Sequence, residues 1–274
     1  MKRNDIINGL VAMGYRAEAQ ESIKNGVVFE GIVIKGEDPI APVIYTERLI
    51  EDAEAQGKSI AEVVADVIKV YEEHRHVELD LDQLMSREFI MNNVYIGIQR
   101  ESEEDIVKMA CDFDGMEAFL YVRGDMEVEA GYSIKVNKYF LAHAYVDVTE
   151  AWDRAKENTF AETEIQSIAK MLAEMCGMPY DETIEMDIPM YVITNKCRLR
   201  GASAILDRKA LEEFAQEHGA EELVVLPSSI HEMIVVPFDG SMDIEEMSAM
   251  VREINAAEVK PEERLTDRAY IISL

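Results

Sequence analysis

Cysteine, tryptophan and positive charge are all scarce in this chain. It holds three cysteines and one tryptophan in 274 residues, and 27 basic residues against 55 acidic ones. Cys111, Cys176 and Cys197 are odd in number and widely separated, with no C-x-x-C spacing. Neither a disulfide framework nor a zinc site is therefore expected, and a reducing cytoplasm is the compartment that fits. No apolar run approaches the length of a membrane span. The start, MKRND, leads into an apolar stretch that Asn8 and Gly9 interrupt, which is not the core of a signal peptide. The expectation is a cytosolic protein with no membrane partner. Phosphate-cradling G-x-x-x-x-G-K-[ST] and G-x-G-x-x-G runs are also missing. Nucleotide chemistry is unsupported and no cofactor is expected.

The shortage of cations leaves a formal net charge of −28. Such a field repels phosphate backbones and anionic membranes, so direct nucleic-acid binding is disfavoured. It attracts basic proteins, and at the extreme it could imitate a nucleic acid. The plainer reading is a surface that keeps the protein soluble. The excess is densest between Glu101 and Ala130, where ten carboxylates face only Lys108 and Arg123.

Hydrophobic residues make up 48% of the chain, enough for a substantial core. Ile6, Ile7, Leu10, Val11 and Met13 recur at helical spacing after Asn4 and Asp5, which can cap a first helix. Asn25-Gly26 breaks the chain before a strand over Val27 to Ile34. Gly36 to Pro39 is a turn, and Pro42 to Tyr45 is the returning strand. Thr46 starts a helix that stops at Gly57. Ser59 and Glu62 form a capping box ahead of the stripe Ile60, Val63, Val64, Val67, Ile68 and Tyr71. Leu81 to Asn92 reads as helix, and Val94, Ile96 and Ile98 as strand. Phe119 to Val122 and Tyr132 to Val136 read as short strands around an acidic turn.

Asp147 with Glu150, and Thr163 with Gln166, form two further capping boxes. The second opens a helix with the stripe Ile165, Ile168, Ala169, Leu172 and Met175, ended by Gly177-Met178-Pro179. Asp181 to Asp187 is a linker. Beyond it, Met190 to Ile193 and Ala202 to Leu206 read as paired strands. Asp207 caps a helix that Gly219 stops. Leu223 to Leu226 and Met233 to Val236 read as a hairpin, and a helix from Asp243 and a strand over Ala269 to Ile272 follow. The C-terminal order is β-β-α-β-β-α-β. Hairpins interleaved with single helices predict an α+β fold with mixed or mainly antiparallel sheets and helices packed on them. Three regions are expected: an N-terminal α+β region over 1–146, a helical connector over 147–187 and a C-terminal α+β unit over 188–274. The helices at 207–218 and 243–255 are expected to cover one common sheet face.

Chemistry concentrates in LPSSIHEMIVVP, Leu226 to Pro237, where Ser228, Ser229, His231 and Glu232 crowd together. A hydrolase needs a nucleophile, a base within hydrogen-bond reach and an orienting acid. Ser229 and His231 are the catalytic candidates, and Ser228, Ser229, His231 and Glu232 the binding candidates. Against catalysis, i and i+2 on one strand sit too far apart for a good bond, and no G-x-S-x-G elbow is present. The structural alternative has the serines bonding turn backbone. Asn195 and Lys196, with Arg198 and Arg200 close behind, form a basic cluster and a second binding candidate, unless they merely neutralise acidic neighbours. His74-Arg75-His76, near Asp80 and Asp82, matches no metal-ligand spacing, so no metal is expected. Asp112-Phe113-Asp114-Gly115 lacks the later ligands of a calcium loop and reads as a turn. Most of the sixteen methionines, Met247 and Met250 among them, fall on predicted core faces.

Several stretches carry a resemblance: NGVVFEGIVI (Asn25 to Ile34), APVIYTERL (Ala41 to Leu49), GKSIAEVVADVIKVYEE (Gly57 to Glu73) and AKENT (Ala155 to Thr159). So do MYVITNKCRLRGASAIL (Met190 to Leu206), LPSSIHEMIVVP and MVREINAAEVKPEERLTDRAYI (Met250 to Ile271). Together they resemble a family of uncharacterised proteins of anaerobic gut-type Gram-positive bacteria, often met on mobile genetic elements. The resemblance covers most of the chain and departs from it between Leu79 and Val146. It brings a fold expectation, no activity and no catalytic residues. The reading is a non-enzymatic protein, an accessory of a mobile element, whose partner is another protein. The alternatives are a nucleic-acid-mimicking inhibitor of a defence or nucleic-acid-processing enzyme, and a small-molecule hydrolase at Ser228 to Glu232.

Overall fold

The computed structural model describes residues 1–36, 41–74, 80–124, 133–177 and 189–274. The turn at Gly36 to Pro39, Arg75 and His76, the acidic turn after Arg123, the Gly177-Met178-Pro179 stop and the Asp181 to Asp187 linker fall wholly or partly outside these residues. Two compact units divide the chain, Met1–Asp80 and Leu81–Leu274.

The first unit runs α1 (Arg3–Ala12), β1 (Ala17–Lys24), β2 (Val27–Ile34), β3 (Val43–Tyr45), α2 (Glu47–Ala55) and α3 (Ile60–His74). Its sheet has the order β1-β2-β3, antiparallel throughout. Asn25 and Gly26 take φ of 48° and 77° and form the two-residue turn of the β1–β2 hairpin. Positive φ at both turn residues matches the twist of the flanking strands, which is why Asn-Gly serves there. Strand β1 eluded the sequence reading because AEAQESIK has no apolar alternation. It is an edge strand, largely exposed, and β2 and the turn set its register. Ile6 and Leu10 of α1, Ile32 and Ile34 of β2, and Val63, Val64 and Val67 of α3 close the core. The capping box holds, since the Ser59 N–H and hydroxyl both donate to Glu62 Oε2 at 2.8 and 2.7 Å. At α1 the cap sits earlier than expected: Asp5 is the third helical residue, and its carboxylate accepts the Lys2 N–H.

The second unit opens with α4 (Leu81–Leu84) and α5 (Arg87–Asn93), then β4 (Val94–Arg100), β5 (Lys108–Ala110), β6 (Met116–Arg123), β7 (Ser133–Lys135), α6 (Lys138–His143) and α7 (Val148–Phe160). The helix expected over Leu81 to Asn92 is broken at Ser86, whose hydroxyl caps α5 by accepting the Phe89 N–H. In the four-stranded sheet β4 pairs one edge of β6, while β5 and β7 also pair β6, all antiparallel. Ala151, Trp152 and Ala155 of α7 pack on Ile96, Leu120 and Val122.

The remainder is β8 (Thr163–Ser167), α8 (Ile168–Met175), β9 (Tyr191–Asn195), a 3-10 turn over Gly201–Leu206, α9 (Arg208–Glu217), β10 (Glu222–Ser229), β11 (Glu232–Phe238), α10 (Ile244–Glu258) and β12 (Tyr270–Ser273). These strands make a five-stranded sheet, β12-β10-β11-β9-β8, antiparallel throughout. With helices on its faces, the whole is α+β.

Three expectations are corrected here. Thr163 to Ser167 is a strand paired with Asn195 to Tyr191, and the helix starts only at Ile168. A T-x-x-Q spacing fits strand and helix alike, and the free edge of β9 decides the matter. Ala202 to Leu206 is 3-10 helix, because β11 and β8 already occupy both edges of β9. Its small side chains are buried without alternation, which periodicity alone cannot separate from a buried strand. Finally, α9 and α10 cover opposite faces of the sheet. Leu211, Phe214 and Ala215 pack with Leu223, Val225, Met233 and Val235, whereas Met247 and Val251 pack with Val224, Leu226 and Val236. The unbroken apolar run Leu223 to Leu226 belongs to a strand buried on both sides.

Candidate functional site

At one end of the five-stranded sheet, three turns close on each other. The first is the Asn195 to Gly201 loop after β9. Asn195 is buried and holds this loop, donating from Nδ2 to Leu199 O at 2.9 Å and accepting the Leu199 N–H on Oδ1 at 3.2 Å. Arg198 and Arg200 both take φ of 53°, a left-handed conformation that costs a non-glycine residue energy. Gly201 follows. A Cβ there would lie 2.3 Å from Thr194 Oγ1, 2.6 Å from Asn195 N and 2.7 Å from His231 O. Only glycine permits so close an approach of two backbones.

The second turn is the tip of the β10–β11 hairpin. Leu223 to Leu226 and Met233 to Val236 pair as expected, but the strands run on to Ser229 and Glu232, so only Ile230 and His231 connect them. The register shifts between Pro227 and Ser229, placing Ser228 at a bulge. Ser229 Oγ accepts the His231 N–H at 3.1 Å. His231 O accepts the Thr194 hydroxyl at 2.8 Å, and Ile230 O accepts the Ala202 N–H at 3.3 Å. The third turn is Lys260 to Glu263, whose Glu263 O accepts the Ile230 N–H at 2.8 Å.

The imidazole sits inside this junction. His231 Nδ1 accepts the Arg200 N–H at 3.2 Å, so the neutral ring carries its proton on Nε2. That nitrogen is 3.9 Å from Glu263 Oε1, which also lies 3.3 Å from Lys260 Nζ. Burial lowers the His231 pKa; Glu263 pulls the other way, and Arg200 and Lys260 add to the lowering. Ser228, Ser229, His231 and Glu232 are all half-buried at the sheet rim. Among the described residues no hydrogen bond joins the Ser229 hydroxyl to the imidazole, so the nucleophile–base pair of a hydrolase is not assembled. Lys196 is exposed, with its N–H on Glu162 O at 3.1 Å. Of the other cations, Arg208 pairs with Glu212 and Lys209 with Glu213, each within α9.

Beside the junction lies a polar face that the sequence did not single out. Arg123 stacks 3.7 Å over the Tyr95 ring, bonds Glu162, and reaches Cys197 Sγ at 3.2 Å. Arg200 lies 5.6 Å from the Tyr121 ring. Farther along, Glu117 is buried and accepts from Gln99 at 2.8 Å and Ser102 at 2.7 Å. Burial opposes its ionisation, but bonds from Gln99, Ser102 and Lys108 outweigh burial and hold its pKa below the ordinary value. Lys135 bonds Gln99 and both oxygens of Glu104. Alternation in β4 and β6 carried the only hint, since Gln99 and Glu117 interrupt apolar strands. Asp114 bonds Arg268 and accepts the Tyr270 hydroxyl at 2.6 Å, which ties its turn to β12. His74 ends α3 with Nδ1 2.9 Å from Val70 O. No three His, Cys, Asp or Glu side chains among the described residues converge as metal ligands.

The fold and the junction define an α+β protein whose most recognisable segments serve as mutual clamps. The chain belongs to a family of unknown function, DUF5688, whose family model matches residues 4–273. The matched span includes Leu79 to Val146. No curated protein and no solved structure matches the chain. No described helix is long and apolar enough to cross a membrane.

Proposed function

We infer that this protein acts by binding another macromolecule, most naturally a protein, rather than by turning over a small molecule. One observation carries the reading: the two catalytic candidates each accept a backbone N–H instead of bonding each other. The Ser229 hydroxyl takes the His231 N–H, and His231 Nδ1 takes the Arg200 N–H. A net charge of −28 supports a cationic partner surface and disfavours nucleic acid and anionic lipid. A role as accessory of a mobile element, in the cytoplasm, rests on the resemblance and on cysteine usage alone. A nucleic-acid-mimicking inhibitor is the narrower form of this reading and would need carboxylates in rows at phosphate spacing.

The test is affinity capture from a lysate of the native host at low salt. A partner well above background is expected, and its identity separates a nucleic-acid-processing enzyme from other proteins. Profiling esters, amides and phosphates decides the hydrolase alternative. Turnover lost in both Ser229→Ala and His231→Ala would overturn the binding reading.

A further inference from the structure

Two concavities meet at the end of β11. The first, about 590 Å³, is walled by Met190, Met242, Met247 and Met250, and Asp239, Asp243 and Glu246 stand at its border. The second, about 1070 Å³, shares Pro237 and Asp239 with the first and adds Glu212, Glu221 and Glu222. Neither is lined by a lysine or arginine among the described residues. Arg208 pairs with Glu212, the Ser273 hydroxyl donates to Glu222, and Asp239 Oδ1 accepts the Ser241 N–H and hydroxyl at 2.9 and 2.6 Å, while Asp239 and Glu221 are both exposed. One turn beyond Met250 on α10, Ile254 is 49% exposed and continues the apolar stripe out of the first concavity.

Methionine is unbranched and polarisable, so a wall of methionines moulds itself to varied apolar side chains. A groove of this kind takes the apolar face of an amphipathic helix. Carboxylates along its border, within a field of −28, select cationic residues on the flanks of that helix and speed its encounter. A second copy of this chain is a poor occupant, because it would bring carboxylates to carboxylates. Resting on the reading of the chain as a binding protein, we propose that the paired concavity docks a basic amphipathic helix of a partner protein. Its apolar side lies on Met190, Met242 and Met250, and its lysines or arginines lie over Asp239, Glu246 and Glu221.

The probe is a synthetic helix with leucines on one side and lysines on the other, fluorescently labelled and titrated with the full chain. A peptide of equal charge with serine for leucine is the control for charge alone. Saturable binding of the leucine peptide is expected, with the serine peptide weaker by about tenfold or more. Met242→Ser with Met250→Ser should weaken the leucine peptide by a similar factor. Asp239→Asn with Glu246→Gln, both at the border and harmless to the core, should weaken it and flatten its salt dependence. Neutralising Glu18 and Glu21 on β1 should leave it unchanged.

Equal affinity for both peptides, no saturable binding, or indifference to both groove variants would each overturn the proposal. So would self-association abolished by the methionine changes, which would make a second copy the occupant. In the lysate capture, a partner retained equally by wild type and by Asp239→Asn/Glu246→Gln refutes this docking site and leaves the binding reading standing. No partner on the wild type refutes the binding reading itself.

Discussion

Gly201 and His231 show how single residues tie the three turns together. At Gly201 a methyl group would meet backbone atoms of Asn195 and His231, which cannot swing aside as a side chain tip could. Gly201→Ala should therefore cost about 1–3 kcal/mol, read as a lower urea midpoint at an unchanged slope. An unaltered midpoint would mean that the turns are not pressed together. The His231 ring has a folded pKa below its ordinary 6.5, with burial the chief cause. Between the folded and unfolded values the unfolded chain holds more protons, so stability rises with pH in that interval. The contribution of the neutral ring is complete above about pH 6.5 and is lost as the pH falls through the folded value. Glu117, lowered from 4.5, acts only at more acid pH. Acidification from about pH 7 to 5 should lower the urea midpoint of the wild type more than that of His231→Gln. Equal slopes would show that the ring does not titrate against the fold. Tyr145 is a different case, 89% exposed with φ of 55° just after α6. Tyr145→Asn suits that conformation better and should raise the melting temperature, by a gain of up to about 1 kcal/mol. A fall would mean that the tyrosine ring has contacts worth more than the strain.

Elements follow from their edges and faces as much as from their own residues. Because α9 and α10 lie on opposite faces of the five-stranded sheet, Leu211 and Val251 share no packing partner. Leu211→Ala should cost about 2–5 kcal/mol. Its combination with Val251→Ala should be additive to within about 0.5 kcal/mol. A larger coupling would place the helices on one face after all. The β10–β11 hairpin was legible because two apolar runs flank a short polar connection that Pro227 opens, and α3, α7 and α10 were legible from their caps and stripes. Strand β1 and strand β8 were not, because an edge strand borrows its register from a neighbour and needs little apolar pattern of its own. The Gly201–Leu206 turn was misread because full burial erases periodicity. At the site, the sequence showed which residues crowd together but not that Ser229 and His231 accept backbone N–H groups. That fact depends on Gly201 and on the Lys260 to Glu263 turn, 59 and 29 residues or more away along the chain from one another and from His231.

For the whole molecule, charge is the dominant fact. At −28, association with any cationic partner gains from long-range attraction that salt screens beyond about 10 Å at 0.1 M. The proposed binding role leaves Ser229 and His231 to serve the fold. The most direct measurement is quantitative capture from a native-host lysate, with wild type, Ser229→Ala and His231→Gln as parallel baits. One partner retained in comparable amount on all three, and released as salt is raised, is the expected result. No partner on the wild type at low salt, or a wild-type turnover that both substitutions abolish, would contradict it.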